Sequence, residues 1–269
     1  MSDRLNTFLS EIGVSAKEDK LESITKVLEA TADRFPFENV DVVMRDKEKV
    51  TEDFLIKKHL IQNRGGLCYE LNPLVYLCLK KLGIDVHLAL GTVYHEDGWA
   101  TDKTHVLNVV DIEGELYVAD AGFGNNLSRK PLVVDGPPEE SSAGIFRVRL
   151  KNTEKGNAVL ETKGTTDWQL RYAFSTEPAD WSELDRIKFI ITDDDRSAFN
   201  KQLLLSKCLP EKTISINEQR LRIRHLLQKD ETDTVFQSEE DLLYTVRQHA
   251  NPAIAEETKK YLKRQTYFN

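Results

Sequence analysis

Cys68 is the residue around which chemistry can be built. It stands in Arg64-Gly65-Gly66-Leu67-Cys68-Tyr69-Glu70-Leu71-Asn72-Pro73. Two glycines permit a tight backbone approach just before a helix. Pro73 lacks an N–H, which costs least in a first helical turn. Together they place Cys68 near a helix N-terminus, where the positive end of the helix dipole favours a thiolate. A cysteine on a helix is also commonly a small core residue, and Cys78 further along reads as one.

A nucleophilic thiol needs a base. Of the six histidines, His59 follows two lysines and His95 sits among acidic residues in a turn; both read as surface residues. His105 differs because Asp120 accompanies it. A two-residue hairpin loop at Glu113-Gly114 sets Leu107 opposite Asp120. His105 shares a face with Leu107, which makes His105 and Asp120 diagonal neighbours about 7–8 Å apart along the backbone. Asp120 could then hold one imidazole nitrogen while the other takes the thiol proton, the logic of a Ser-His-Asp triad with sulfur as nucleophile. A structural His–Asp pair in a hairpin would leave the same pattern.

The elements that must position these residues change along the chain. Leu5, Phe8, Leu9 and Ile12 share a helical face that stops at Gly13, and Leu21, Ile24, Val27 and Leu28 repeat the spacing. Phe35-Pro36-Phe37 imposes an extended break. Leu67, Leu71, Leu74, Val75, Cys78 and Leu82 form a third helical run ending at Gly83. Beyond it the texture is that of strands: 86–94, 105–112, 115–120, 146–150 and 168–174. The last third mixes strands expected over 199–205, 213–216 and 220–223 with a helix begun by a capping box at Ser238-Glu239-Glu240-Asp241.

The 269 residues, 40% hydrophobic and 30% charged, suffice for a substantial core without disulfides or a structural metal. A net charge of −8 disfavours a nucleic-acid partner. Arg220, Arg222 and Arg224 alternate with Leu221 and Ile223, as one solvated strand face. Three widely spaced cysteines give neither a disulfide framework nor zinc-ligand spacing, so no metal is expected. The opening MSDRLNTFLSEIGVS lacks the apolar run of a secretory leader, and no stretch is long enough to span a membrane. A reducing cytoplasm is the expected home.

Arg64-Gly65-Gly66-Leu67-Cys68-Tyr69-Glu70-Leu71-Asn72 resembles the RGGxCxExN nucleophile motif of the arylamine N-acetyltransferases at every specified position. Thr104-His105, Asp120-Ala121-Gly122-Phe123-Gly124 and Pro36-Phe37-Glu38-Asn39 resemble that family's histidine, aspartate and PFEN motifs, in the same order. The resemblance implies an α+β fold in three parts: a helical bundle over 1–84 carrying the nucleophile, an antiparallel β-barrel over 85–188 carrying His105 and Asp120, and an α/β lid over 189–269. The first two resemble the core of papain-like proteases and transglutaminases.

For chemistry it implies a ping-pong reaction in which Cys68 takes acetyl from acetyl-CoA and passes it to an arylamine or arylhydrazine. An amide synthase, or another acyltransferase of the same fold with a different donor, would share these motifs. The resemblance further implies that Arg64 and Glu70 support the nucleophile loop by ion pairing and that Phe37, Val93 and Phe123 line the acceptor pocket. Thr101, Gly124, Phe199 and Ser206 match positions near CoA. The chain departs from the family at Glu11, where an arginine is frequent, and at Asp193-Asp194-Asp195, carboxylates that would oppose the phosphates of CoA.

Overall fold

The structure, a computed structural model, describes residues 2–225 and 230–266. Of the expected lid segment 189–269, residues 226–229 and 267–269 therefore lie outside the described residues. Helices Ser2–Glu11 and Lys20–Arg34 open the chain. Asp19 caps the second by accepting from the Glu22 N–H, 2.9 Å away, and Ile24, Val27 and Leu28 are buried along one face. After the two-residue strand Phe37–Glu38 come the short helices Val40–Val43 and Glu52–Leu55, the latter running into a π-helical turn, Ile56–Ile61. The charges of Lys57-Lys58-His59 hide this segment from any apolar periodicity.

Helix Cys68–Lys81 is the centre of the N-terminal core, with Leu71, Leu74, Val75 and Cys78 almost wholly buried. Gly83, at φ +74°, terminates it as expected of a C′ residue. Cys68 is its first residue, but Pro73 lies in the second turn and not the first. The glycines, therefore, and not the proline, mark the helix start.

Strands Asp85–His95, His105–Ile112, Glu115–Ala119, Leu132–Val133, Glu139–Ser141, Gly144–Thr153, Gly156–Lys163 and Trp168–Phe174 form one antiparallel sheet, with Gly98–Trp99 paired onto the first. Val134 bridges to Val148, which curls the sheet into a nearly closed barrel. The hairpin at Glu113-Gly114 has positive φ at both positions, +56° and +88°, as a type I′ turn requires. Asn108 faces Ala119 and Ile112 faces Glu115, the register that a two-residue loop dictates. Strand His105–Ile112 is buried on both faces: Leu107 and Val109 point into the barrel, whereas Val106 and Val110 pack on the helical core.

Helix Glu183–Asp193 returns to that helical core through Leu184, Ile187 and Ile191, so the expected boundary between 188 and 189 falls inside a helix. A second antiparallel sheet follows, ordered Phe37–Glu38, Leu205–Cys208, Thr213–Ile216, Arg220–His225, Asp230–Val235. Helices Glu239–His249 and Pro252–Thr266 cover it, the first capped by Ser238 and Asp241. The strand expected over 199–205 is not formed. Only Leu205 onward pairs, because Asn39 claims the backbone polar groups of Phe199, Gln202 and Leu204. Arg220 and Arg222 pair with Asp233, and Arg224 with Glu231, so this strand face is internally neutralised. Among the described residues no helix is long and apolar enough to cross a membrane.

Candidate active site

The loop before Cys68 is held from both sides. A Cβ at Gly65 would fall 1.9 Å from the Pro36 carbonyl oxygen, so no other residue fits there. The Arg64 N–H donates to the Lys58 carbonyl (2.9 Å), and His59 Nδ1 lies 3.0 Å from the Arg64 carbonyl. The π-helical turn therefore pins both backbone groups of Arg64. His59, expected at the surface, is in fact buried. Burial, then the neighbouring Lys58 charge, lower its pKa to about 3. It is neutral, with the proton on Nδ1 to donate to Arg64.

Beneath the loop lies a buried ionic network. Arg64 donates through Nε and a terminal nitrogen to Glu38 (2.9 and 2.7 Å) and to Asp41 (2.9 Å). Lys58 pairs with Asp41 (2.7 Å) and Glu70 (2.5 Å). Burial pushes the Glu70 carboxyl upward, against the pull of Lys58, and its other oxygen accepts from the Leu67 N–H, 2.9 Å away. Arg64 and Glu70 thus support the loop through separate partners. Arg64→Leu would strand Glu38 and Asp41 beside a single remaining cation. It is expected to cost about 3–5 kcal/mol of stability in urea unfolding; a loss under about 1 kcal/mol would show the network to be dispensable.

At the helix tip the Cys68 thiol is 3.5 Å from the Thr104 carbonyl and hydrogen-bonds the His105 imidazole. His105 Nε2 is 2.8 Å from Asp120 Oδ2, which leaves Nδ1 to the thiol. Asp120 is saturated. Oδ2 also accepts from the Tyr172 hydroxyl (3.0 Å), and Oδ1 accepts from Asn72 Nδ2 and the Gly122 N–H (2.8 Å each). Burial alone would lower the His105 pKa, but the Asp120 charge and hydrogen bond, followed by Cys68, raise it to about 10. Asp120 is held below the usual carboxylate range: its burial is outweighed chiefly by His105. The arrangement makes His105 a ready acceptor for the Cys68 proton.

Asn72 joins helix to hairpin, donating to the Val106 carbonyl (2.6 Å) as well as to Asp120 and accepting from the Ala121 N–H (2.8 Å). It lies one helical turn from Cys68, on the same helix face, and is the last specified position of the nucleophile motif. Tyr172, whose ring is 4.6 Å from the His105 ring, left no sequence signal. A Cβ at Gly122 would come within 2.6 Å of both the Cys68 Cα and Asn72 Nδ2. Gly122→Ala must therefore displace the nucleophile, and is expected to lower kcat/KM about 100-fold, because misplacement of roughly 1 Å costs that much. Steady-state kinetics on the folded variant checks this.

Cys68 and His105 open into a cavity of about 330 Å3 that Phe37, Val93, Phe123, Gly124, Phe199 and Ser206 also line. Thr101 is not among the lining residues; its carbonyl accepts from the Thr104 hydroxyl (2.9 Å). Asn39 shapes the rim. Its amide donates to the Phe199 and Gln202 carbonyls and its oxygen accepts from the Leu204 N–H, each at 2.7 Å. The three aspartates lie outside the lining and are met by cations: Asp193 by Arg45 (3.2 Å), Asp194 by Arg196 (2.7 Å) and Asp195 by Lys201 (3.9 Å). Glu11, the other departure, pairs with Arg34 (2.7 Å).

The model of a family described as N-acetyltransferase matches residues 20–255. An uncharacterized acetyltransferase of Bacillus subtilis, YvcN, is 37% identical over 225 residues, 83% of this chain and 89% of the relative. Two solved structures superpose over nearly the whole chain. The (BACCR)NAT3 arylamine N-acetyltransferase of Bacillus cereus, described as having a unique Cys-His-Glu catalytic triad, gives a TM-score of 0.85 at 32% identity, covering 93% of this chain and 99% of that one. Arylamine N-acetyltransferase C of Bacillus anthracis gives 0.86 at 29% identity, covering 94% and 99%.

Proposed function

Because the chain belongs to the arylamine N-acetyltransferase family, we propose that it moves an acetyl group from acetyl-CoA to an arylamine or arylhydrazine through a thioester on Cys68. The observation that carries this reading is the contact chain from the Cys68 thiol to His105 and on to Asp120 at 2.8 Å, at the floor of an aromatic-walled cavity.

The chemistry runs in two halves. His105 Nδ1 takes the Cys68 proton. The thiolate adds to the acetyl-CoA carbonyl, and collapse of the tetrahedral adduct expels the CoA sulfur, which recovers the proton from His105. In the second half the amine nitrogen adds to the acetyl-Cys68 carbonyl while His105 accepts a proton from it. Collapse releases the amide and the Cys68 thiolate, and the proton returns to sulfur. Asp120 holds the imidazole in the tautomer that each half requires and offsets its positive charge.

Phe37, Val93 and Phe123 present the apolar surface that a flat aromatic amine needs. Gly124, Phe199 and Ser206 belong to the same cavity and suit the pantetheine arm of the donor. Arg64 and Glu70 act on the loop and stay out of the reaction. Incubation with acetyl-CoA alone is expected to add one acetyl group, located by peptide mass spectrometry on Cys68 and discharged by an added arylamine. Absence of the adduct while the thiol still reacts with iodoacetamide would overturn the reading.

A further inference from the structure

Arg171 is an arginine of the cavity that neither the motifs nor the reaction so far account for. It lies on strand Trp168–Phe174 and lines the cavity that contains Cys68. Along that strand Leu170 pairs with Glu161 but Tyr172 pairs with Leu160, so Arg171 is the extra residue of a β-bulge. Bulges re-aim a side chain, and this one breaks the alternation that places Tyr172 against His105. The guanidinium is held by neutral oxygens: Nε donates to the Thr162 hydroxyl (2.5 Å) and a terminal nitrogen to the Gln169 side-chain carbonyl (2.9 Å). Among the described residues no carboxylate pairs with Arg171, and no aspartate or glutamate lines the cavity. In a chain of net charge −8, a half-buried arginine without a counter-ion is conspicuous: its burial, unopposed by any neighbouring charge, lowers its pKa.

We infer that Arg171 selects the acceptor by charge, favouring an arylamine that bears an anionic group such as a ring carboxylate. This rests on the cavity being the acetyl-acceptor site. The two walls of the cavity decide between acceptor and donor as the source of the anion. Tyr172 faces Val93 on the adjacent strand and its ring lies 5.1 Å from that of Phe123, so Arg171 enters along the Val93–Phe123 wall. Of the residues suited to the donor, Gly124 lies instead near Ser206, and Phe199 packs 5.8 Å from Phe37, the acceptor-pocket residue that adjoins them. An aromatic ring resting on Phe123 with its amine toward Cys68 presents its far substituent to Arg171, whose planar fork suits a carboxylate.

The test compares para-aminobenzoate with the uncharged para-aminobenzamide as acceptors for wild type, Arg171→Gln and Arg171→Lys, with acetyl-CoA as donor. In wild type kcat/KM is expected to favour the acid. Arg171→Gln lowers the acid-to-amide ratio about 10- to 100-fold, the worth of a charge-assisted pair, and Arg171→Lys recovers part of it. Equal losses toward both acceptors, or a raised KM for acetyl-CoA with the ratio unchanged, would overturn the inference, the latter by assigning the arginine to the donor phosphates. Equilibrium titration of the acid and the amide onto wild type and the two variants reads the same discrimination without turnover. A failure of acetyl transfer is thereby kept apart from a failure of charge selection.

Discussion

Cys68→Ser is expected to lower kcat/KM by about 10^4-fold or more, because the reaction loses its nucleophile while every supporting contact stays in place. The hydroxyl is nearly isosteric with the thiol but holds its proton far more tightly, and at the helix tip it ionises too little to add to a thioester. Stability should barely change, since Cys68 contributes a small buried side chain and weak sulfur hydrogen bonds to the Thr104 carbonyl and the His105 imidazole. The measurement is single-turnover acetyl transfer together with intact mass after exposure to acetyl-CoA. A variant that still accumulates a stable acetyl adduct at that position at the wild-type rate would remove Cys68 from the mechanism.

Asp120→Asn is expected to be nearly as severe, about 10^4-fold in kcat, by the wrong-tautomer effect. All four of the Asp120 hydrogen bonds are accepted ones, from His105, Tyr172, Asn72 and the Gly122 N–H. An amide can accept at only one end. Turning its NH2 toward Asn72 and Gly122 sets donor against donor; turning it toward His105 makes Nε2 an acceptor and leaves the proton on Nδ1, facing the thiol it should deprotonate. The pH behaviour follows with a definite sign. Asp120 is the main cause raising the His105 pKa to about 10, against burial that lowers it. Without the carboxylate, the His105 titration moves to lower pH.

In the wild type the folded pKa of His105 lies above its ordinary value of 6.5. The pair therefore contributes stability fully below pH 6.5, and that contribution fades as pH rises toward 10. The stability difference between wild type and Asp120→Asn should narrow over that window. His59 works in the opposite sense: its lowered pKa, about 3, gives a contribution complete above pH 6.5 that declines as pH falls below it. Urea midpoints across pH, together with the ring signals of His105, check both. A His105 titration unmoved by Asp120→Asn would contradict the electrostatic account.

Local features of the site were legible because they impose local constraints. Two glycines before Cys68 signalled a close backbone approach, and a two-residue loop at Glu113-Gly114 fixed which residue faces Asp120. The contacts that complete the site connect distant parts of the chain and leave no periodic trace. Tyr172 reaches Asp120 across 52 residues of sequence. Lys58 and His59 sit in a segment whose charges mimic a solvated surface, although both are buried. Strand Asp230–Val235 was missed for a related reason: every residue in it is exposed and it is held beside Arg220–His225 by ion pairs, so it carries no apolar pattern. The bulge at Arg171 depends on its register against Gly156–Lys163, which nothing local to it specifies.

The short strand Phe37–Glu38 and the Asn39 after it have a consequence for how the chain is made. Their partners lie up to 165 residues downstream, at Leu204, whereas Asn72 meets Val106 after 34 residues and Asp120 after 48. At a ribosomal pace of about 5–20 residues per second, the edge near Phe37 waits roughly 4–17 seconds after Asp120 is made. Until those downstream residues are made, the edge of Phe37–Glu38 that pairs with Leu205 and Ser206 stays open.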